Sequence, residues 1–496
     1  MKSFLAFAFF CQASMAQFPQ MTGSPTTLVS EGGRVSWSSK NIIAYDFQET
    51  SGAKDGYYDL AIINPDGSGN TCLTCPGSAG VGALPSPSLN IGNPQFTPDG
   101  NFLIFMVQIG VSVTSCAASP TNPVICNFPG FPGEGYRCDL WATDMMGHFW
   151  QLTTQGRWGV AGILTAVAVT PGTDSGLPNS GTFTTTGGGC SPGAAGTFTA
   201  SGGNLLTVTL TTGGSGAGCT SNPTFVPNSG SLGTSTVRFI GSGGVIYPTI
   251  SHDGTKLTWG QRDLPGVTED DNLNPGRWDL AYATFSETGG IPSIGSVTLV
   301  CSGTTASYCT GTLGTQPGYV EPHTFSNDNG TIFFMGNVTA NMNAFARNIY
   351  SFNLGTSAFF NLTNSLVDWT EYPTAVTYST KLIYMLYPNA GGQHGQNINC
   401  IADYWVMNYD GTDKYQLTFF NTPGNVNFQP TPGQPVCTDD PSWNPTSTQL
   451  VMFPNFYAAS GHTGTPGPDW IINISNVSSA LSVTSVAYLL PGALLQ

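Results

Sequence analysis

The sequence predicts an all-β protein: a six-bladed β-propeller with a small Gly/Thr-rich β insertion between blades two and three. Three observations lead there. A four-part pattern recurs six times along the 496 residues. Its segments are short and rich in Val, Ile, Tyr, Phe and Trp, the residues that suit a pleated surface. No segment has a convincing amphipathic helical period. Repeats of this size that read as strands form blades around a central channel.

Each part of the repeat can be placed. The inner strand is marked by phrases such as Pro94-Gln95-Phe96-Thr97-Pro98-Asp99-Gly100 and Pro248-Thr249-Ile250-Ser251-His252-Asp253-Gly254. Its centre falls at Trp37, Phe96, Ile250, Phe325, Ala375 and Trp443. Second strands follow at 42–45, 102–105, 256–259, 331–334, 381–384 and 449–452. Asp-Gly or Asn-Gly between them makes a hairpin turn, because glycine takes positive φ at little cost. Third strands open on Asp59, Asp139, Asp279, Asn348, Asp403 and Asp469. Because these residues recur in nearly every blade, they read as turn and backbone partners rather than reactive groups. Fourth strands run near Leu73, Leu152, Leu299, Leu362, Leu417 and Val486, closing on phrases such as Gln151-Leu152-Thr153 and Gln416-Leu417-Thr418.

These phrases resemble the repeats of TolB-type six-bladed propellers, also called WD40-like or PD40 after their Pro-Asp-Gly turn. The resemblance covers roughly residues 33–158 and 242–490. Its turn is intact in blades two and three, while Tyr378-Ser379 and Thr446-Ser447 replace it in blades five and six. The resemblance implies the fold and an export context. It implies no catalytic residue set.

Two segments stand outside the blades. Residues 159–241 are Gly, Thr and Ser with almost no charge, and alternating Thr with Val, Phe or Leu predicts short strands. Two related halves are visible: Leu164 to Val169 corresponds to Leu205 to Leu210, and Gly181-Thr182-Phe183 to Pro223-Thr224-Phe225. The segment loosely resembles Gly/Thr-rich repeats of bacterial surface and phage proteins. The second segment, residues 17–32, holds a strand near 26–30 that reads as surplus, since blade six already reads as four strands. That strand has two placements: as a fifth strand on its own molecule, or added to the edge of a neighbour.

Composition narrows the function. Only 8% of residues are charged and the formal net charge is −15. Without a basic groove a nucleic-acid partner is not expected. Residues 1–16 have the form of a signal peptide: Lys2, an apolar run, then Ser14-Met15-Ala16. The run is too short to span a bilayer, and no later segment is long and apolar enough to do so. An exported chain makes disulfides plausible. The candidate pairs are Cys72 with Cys75, Cys116 with Cys126, Cys190 with Cys219, Cys301 with Cys309 and Cys400 with Cys437. Cys138 is left over and competes for Cys116 or Cys126. The five sequons, at Asn329, Asn337, Asn361, Asn473 and Asn476, matter only in a host that glycosylates.

The chemistry-bearing candidates are few. No Gly-x-Ser-x-Gly, His-Glu-x-x-His, P-loop or dinucleotide fingerprint occurs. Of the five histidines, His252 and His148 read as surface or packing residues, and His394 and His462 lie on polar loops. His323 differs, because it occupies a proline position of the repeat. The residues just before the inner strands are expected to ring one mouth of the channel, and they include Glu321, Glu371, Asp439 and Asp440. Such carboxylates would attract a hard cation such as Ca²⁺ or a ligand ammonium; no other cofactor is expected. The acidic loop Glu269-Asp270-Asp271 lacks the spacing of a calcium loop and reads as solvated.

The expectation is therefore a secreted, non-catalytic propeller at the cell surface or outside the cell. It would bind an extracellular protein or glycan, or self-associate into a surface layer or filament through poorly guarded strand edges. One rival is an extracellular polysaccharide lyase or hydrolase with chemistry at the channel mouth. Another is a periplasmic TolB-like partner of envelope proteins.

Overall fold

The computed structural model describes residues 20–30, 32–49, 58–85, 88–109, 135, 138–155, 164–170, 172–187, 193–212, 223–241, 244–264, 277–300, 319–339, 342, 346–377, 379–389, 401–425, 428, 436–456 and 469–475. The first strand, β1 (Gln20–Val29), precedes six antiparallel sheets. The first sheet is β2 (Val35–Trp37), β3 (Ile43–Gln48), β4 (Tyr58–Ile63) and β5 (Thr71–Cys72). The second is β6 (Ser88–Phe96), β7 (Leu103–Ile109), β8 (Cys138–Thr143) and β9 (Phe149–Gln151). Six strands of the insertion come next: β10 (Leu164–Thr170), β11 (Ser180–Thr186), β12 (Ala195–Ser201), β13 (Asn204–Thr212), β14 (Thr224–Pro227) and β15 (Thr236–Gly241).

The third sheet is β16 (Gly244–Ile250), β17 (Lys256–Leu264) and β18 (Arg277–Thr288), with β19 (Ile291–Ile294) and β20 (Thr298–Leu299) both paired to β18. The fourth is β21 (Val320–Phe325), β22 (Thr331–Gly336), β23 (Asn348–Asn353) and β24 (Phe359–Asn361). The fifth is β25 (Trp369–Ala375), β26 (Lys381–Tyr387), β27 (Asp403–Asn408) and β28 (Tyr415–Gln416). The sixth holds β29 (Val436–Trp443), β30 (Gln449–Phe456) and β31 (Asp469–Ser475). The innermost strands touch in chain order, β2 to β6, β16, β21, β25 and β29, and β29 returns to β2. The six sheets are thus the blades of a closed ring.

Blades pack face to face, so both faces of a middle strand are buried. Leu103, Ile104, Phe105, Met106 and Val107 are all inaccessible, and β8 is buried throughout. These strands therefore read as continuous apolar runs. The insertion behaves differently. In β11 and β12 buried and exposed residues alternate, as in a sheet with one wet face. Its strands form a four-stranded sheet (β13-β12-β11-β14) and a β10–β15 pair, around Phe183, Phe198, Leu205 and Phe225. The two sequence halves lie close together, with β11 paired to β14 and β10 beside β13.

Two repeated devices explain the repeated phrases. At the hairpin turns, the hydroxyls of Thr97, Ser251 and Ser326 donate to Asp99, Asp253 and Asp328 two residues on (2.7, 2.5 and 2.5 Å). Gly100 and Gly254 then take φ of 68° and 70°. At the other end of the blade, a threonine after the fourth strand latches the start of the third. Thr153 Oγ1 donates to Asp139 (3.1 Å) and accepts the Leu140 N–H (2.9 Å). Thr418 does the same for Asp403 and Tyr404 (2.9 and 2.9 Å), and Thr74 for Asp59 and Leu60 (2.8 and 2.9 Å). Thr363 plays this part for Asn348 and Ile349 (2.9 and 2.9 Å). The recurring acids are structural, as their recurrence implies.

Of the two placements expected for the N-terminal strand, the structure shows the one on its own molecule. β1 pairs antiparallel with β31 and supplies the outer strand of blade six, joining the two ends of the chain. Among the described residues it is the fourth strand of that sheet, paired on one edge with β31. The strand expected near Val486 lies outside the described residues. Outer strands elsewhere are two to four residues long, which blunts the sheet edges against pairing with other chains.

Cys72 and Cys75 form a disulfide, which commits the C-x-x-C pair to a local staple. Cys437 is also disulfide-bonded. Cys138 is buried in β8, and burial pushes its thiol pKa up. Cys116, Cys126, Cys190, Cys219, Cys301, Cys309 and Cys400 lie outside the described residues, as do residues 1–16, His394, His462 and the acidic loop at 269–271. Asn337 of the sequons is buried, its Oδ1 accepting the Tyr319 N–H at 2.6 Å, whereas Asn473 is exposed.

Candidate functional site

The inner strands are interrupted at one shared place. Pairing with the second strand slips between Gly92 and Gln95, Ile246 and Thr249, Pro322 and Thr324, Glu371 and Thr374, and Thr438 and Pro441. Proline supplies the reason: Pro94, Pro248, Pro373 and Pro441 lack the N–H that the ladder would use. A bulge re-aims the residues beside it. Asn93, Tyr247 and Tyr372, each just before its proline, take left-handed φ of 54°, 50° and 54°. For a tyrosine this conformation is uncommon and costs about 1–3 kcal/mol.

The residues re-aimed by these bulges form one connected cluster. Arg34, immediately before β2, donates from Nε to the Tyr247 hydroxyl (2.5 Å), and its guanidinium lies 4.9 Å from that ring's centroid. Tyr247 packs on His323 at 4.6 Å, and His323 meets Tyr372 edge-on at 5.2 Å. Glu321 and Glu371 lie deeper, each about 95% buried. The Tyr319 hydroxyl donates to Glu321 Oε1, and Trp369 Nε1 donates to Glu371 Oε2 at 2.5 Å. Arg347 sits over the rings of both Tyr319 and Trp369, 5.8 Å from each centroid. Asp439 and Asp440 are partly exposed. The Asp440 N–H caps Asp439 Oδ1 at 2.9 Å, and the Tyr404 hydroxyl donates to the Asp439 carbonyl.

The electrostatics follow from burial. Burial raises the pKa of Glu321 well above the carboxylate range, and the facing Glu371 adds to it. Glu371 is pushed up to about 7 by burial and by Asp439, against the hydrogen bonds it accepts. Burial likewise raises Asp440, against the pull of Arg34. His323 is driven well below its ordinary value by burial and then by Arg34, so it is neutral. Burial disfavours the charge on Arg34, yet Tyr247, Tyr372, Asp439 and Asp46 outweigh it and raise its pKa.

All five residues expected from the sequence fall in this cluster, but not where a loop-lined mouth would put them. Glu321 and His323 are within β21, Glu371 within β25, and Asp439 and Asp440 within β29. Glu321, His323 and Glu371 come together, one ligand-type atom from each lying within 4.8 Å of the others. Glu49, Asp59 and Cys75 are similarly close, but the Cys75 sulfur is committed to its disulfide. Sequence reasoning missed Arg34, Asp46, Tyr247 and Tyr372. The signal was present: three residues before each inner-strand centre stand Arg34, Asn93, Tyr247, Pro322, Tyr372 and Asp440.

The sheet order and the ring of inner strands define the class of the protein: an all-β propeller. No family model matches the chain, and no curated protein does. Among solved structures it is similar to a TolB of Agrobacterium tumefaciens, at 11% identity and TM-score 0.36 over 78% of this chain and 80% of that one. It is also similar to TolB of Acinetobacter baumannii (10%, 0.39), covering 88% of this chain and 65% of that one. A third is the β-propeller domain of the trilobed protease of Pyrococcus furiosus (8%, 0.34), with 90% and 94% covered. With TM-scores below 0.5 these likenesses add nothing to the sheet order, from which the fold is read. No described helix is long and apolar enough to cross a membrane.

Proposed function

We propose that the chain is an exported binding propeller whose ligand, an extracellular glycan, is held at the channel wall. The observation that carries this reading is where the charge is placed. Charged residues make up 8% of the chain, yet Arg34, Asp46, Glu321, Arg347, Glu371 and Asp440 gather around one set of strands. Burying an ion costs several kcal/mol even after relaxation (on the order of 5). Two tyrosines in strained backbone add to that cost, as expected of a wall organised around a ligand. Arg34, Asp439 and Asp440, which are partly exposed, suit the hydroxyls of a sugar, and the buried rings of Tyr247, Tyr372 and His323 support them from behind. The disulfide-bonded Cys72, Cys75 and Cys437 agree with an oxidising compartment, the periplasm or beyond. Assembly through β1 is not part of this reading, since β1 is used within the molecule.

The test is a glycan array probed with the intact protein and with Arg34→Gln. The expected result is a defined set of retained glycans, bound at least about tenfold more weakly by the variant. An empty array, or equal retention by both proteins, sinks the proposal. One observation favours the enzyme reading, the Glu321–Glu371 pair, because an acid held protonated beside a second carboxyl is what general acid catalysis needs. Fragments released from a retained glycan, and absent with Glu321→Gln, would move the chain to that reading.

A further inference from the structure

We infer that Glu321, His323 and Glu371 form a binding site for a divalent transition-metal cation of the Zn²⁺ or Mn²⁺ kind. Three independent observations meet at this point. First, apart from the facing Glu371 carboxyl, Glu321 Oε2 and His323 Nε2 have no hydrogen-bond partner among the described residues, although their side chains are 5% and 3% exposed, and they face each other at 3.7 Å. Buried polar atoms without partners are rare because each forfeits its hydration. Two of them aimed at one another mark a place where a third body belongs.

Second, the remaining oxygens are already oriented from behind. The Tyr319 hydroxyl holds Glu321 Oε1 and the Trp369 indole N–H holds Glu371 Oε2. Outer partners of this kind fix ligating carboxylates and free the opposite oxygen for the ion. Third, the spacing is close to that of a coordination sphere. Ligands about 2.0–2.2 Å from zinc stand roughly 3.2–4.3 Å apart. One atom of each residue lies within 4.8 Å of the others, so a small inward rotation closes the set.

The donor types select the ion. Calcium takes six to eight oxygens in most sites (about seven) and gains little from an imidazole. Two carboxylates and a neutral imidazole nitrogen suit Zn²⁺ or Mn²⁺. The position of His323 in the repeat agrees: proline stands at the equivalent place in blades two, three, five and six, as Pro94, Pro248, Pro373 and Pro441. This blade alone among those five puts a ligand there. The inference shares a wall with the glycan reading but does not depend on it, since the ion can be titrated with no glycan present.

The experiment is calorimetric titration of untagged, chelator-treated protein with Zn²⁺, Mn²⁺ and Ca²⁺ in separate runs, repeated with His323→Gln and Glu371→Gln. Glu371→Gln keeps an acceptor for Trp369 and so preserves the wall. One tight site for Zn²⁺ or Mn²⁺, at least about tenfold weaker in both variants and weaker for Ca²⁺, supports the inference. Unchanged binding in the variants overturns it, as does no binding at millimolar metal. Diffraction from wild-type crystals soaked in Zn²⁺, recorded above and below the zinc edge, reads the position without any variant. Anomalous density elsewhere only, or none, also overturns it.

Discussion

Asp46 ties blade one to blade two with a single carboxylate: Oδ1 accepts the Arg34 N–H and Oδ2 accepts the Asn93 N–H, each at 2.9 Å. Asn93 is one of the residues in left-handed backbone, so the same side chain helps hold a bulge in place. The fit leaves no slack, because a Cβ at Gly33 would lie 1.9 Å from Asp46 Oδ1.

Replacing this staple is expected to be costly. Each charge-assisted bond contributes about 1.5–3 kcal/mol, and Asp46→Ala leaves two N–H groups without acceptors. We expect a loss of about 3–5 kcal/mol in urea unfolding at pH 7. Asp46→Asn, which keeps one acceptor and points an amide at the other N–H, should fall between. An Asp46→Ala protein as stable as wild type would show that water replaces the carboxylate there.

The threonine latch makes a second prediction. Thr418→Val removes the donor to Asp403 and the acceptor for the Tyr404 N–H while keeping the shape. A cost of about 2–3 kcal/mol is expected, with Thr418→Ser restoring most of it. Equal effects of Val and Ser would assign the contribution to packing of the methyl group instead.

The strands, turns and insertion were legible in the sequence because each rests on local chemistry: apolar runs, Asp-Gly turns and alternating threonines. Glu321, His323 and Glu371 were legible as departures from a repeat. Tyr247 and Tyr372 were not, because an aromatic in a strand reads as core; only the bulge turns them toward the cluster. Arg34 lies just ahead of its strand and gained meaning only from Tyr247, 213 residues away in sequence. The pairing of β1 with β31 was hidden for a related reason. Register between chain ends is set by ring closure, which no local window contains.

That closure carries a prediction. Met21 of β1 is buried with Trp470 and Ile474 in one apolar cluster. Met21→Ala should cost about 2–3 kcal/mol, and deleting residues 20–29 considerably more. A synthetic β1 peptide added to the truncated protein should restore part of the lost melting temperature by strand addition. A truncated protein that melts with wild type would mean that another segment closes blade six.

Asp469 shows what the closure leaves behind. It occupies the latch position of blade six, is fully buried, and neither carboxylate oxygen has a hydrogen-bond partner among the described residues. Burial, and then Asp46, raise its pKa well above the usual range, and Asp46 is itself pushed up to about 6 by burial. In both cases the native state holds a proton that the unfolded state has released above about pH 4. Stability therefore falls as pH rises through these groups. Asp253, lowered to about 2 by its hydrogen bonds despite burial, has the opposite sign and gains between about pH 2 and 4. The melting temperature should peak near pH 4–5 and decline toward pH 8. Asp469→Asn should flatten that decline, and an unchanged slope would place the titrating groups elsewhere.

The insertion gives the last prediction. Among the described residues its apolar cluster contains only its own: Phe183 stacks on Phe225 at 4.8 Å, and Phe198 meets Phe225 edge-on at 5.8 Å. Asp174 locks the entry to that unit, accepting the N–H groups of Leu205 and Gly233 and the Ser235 hydroxyl at 2.9, 2.8 and 2.6 Å. A core that is not shared can unfold alone. Phe198→Ala, at a cost of about 3–5 kcal/mol, should remove hydrogen-exchange protection from β11 to β14. The blades should exchange as in wild type. Loss of protection in both together would mean that the insertion and the ring fold as one unit.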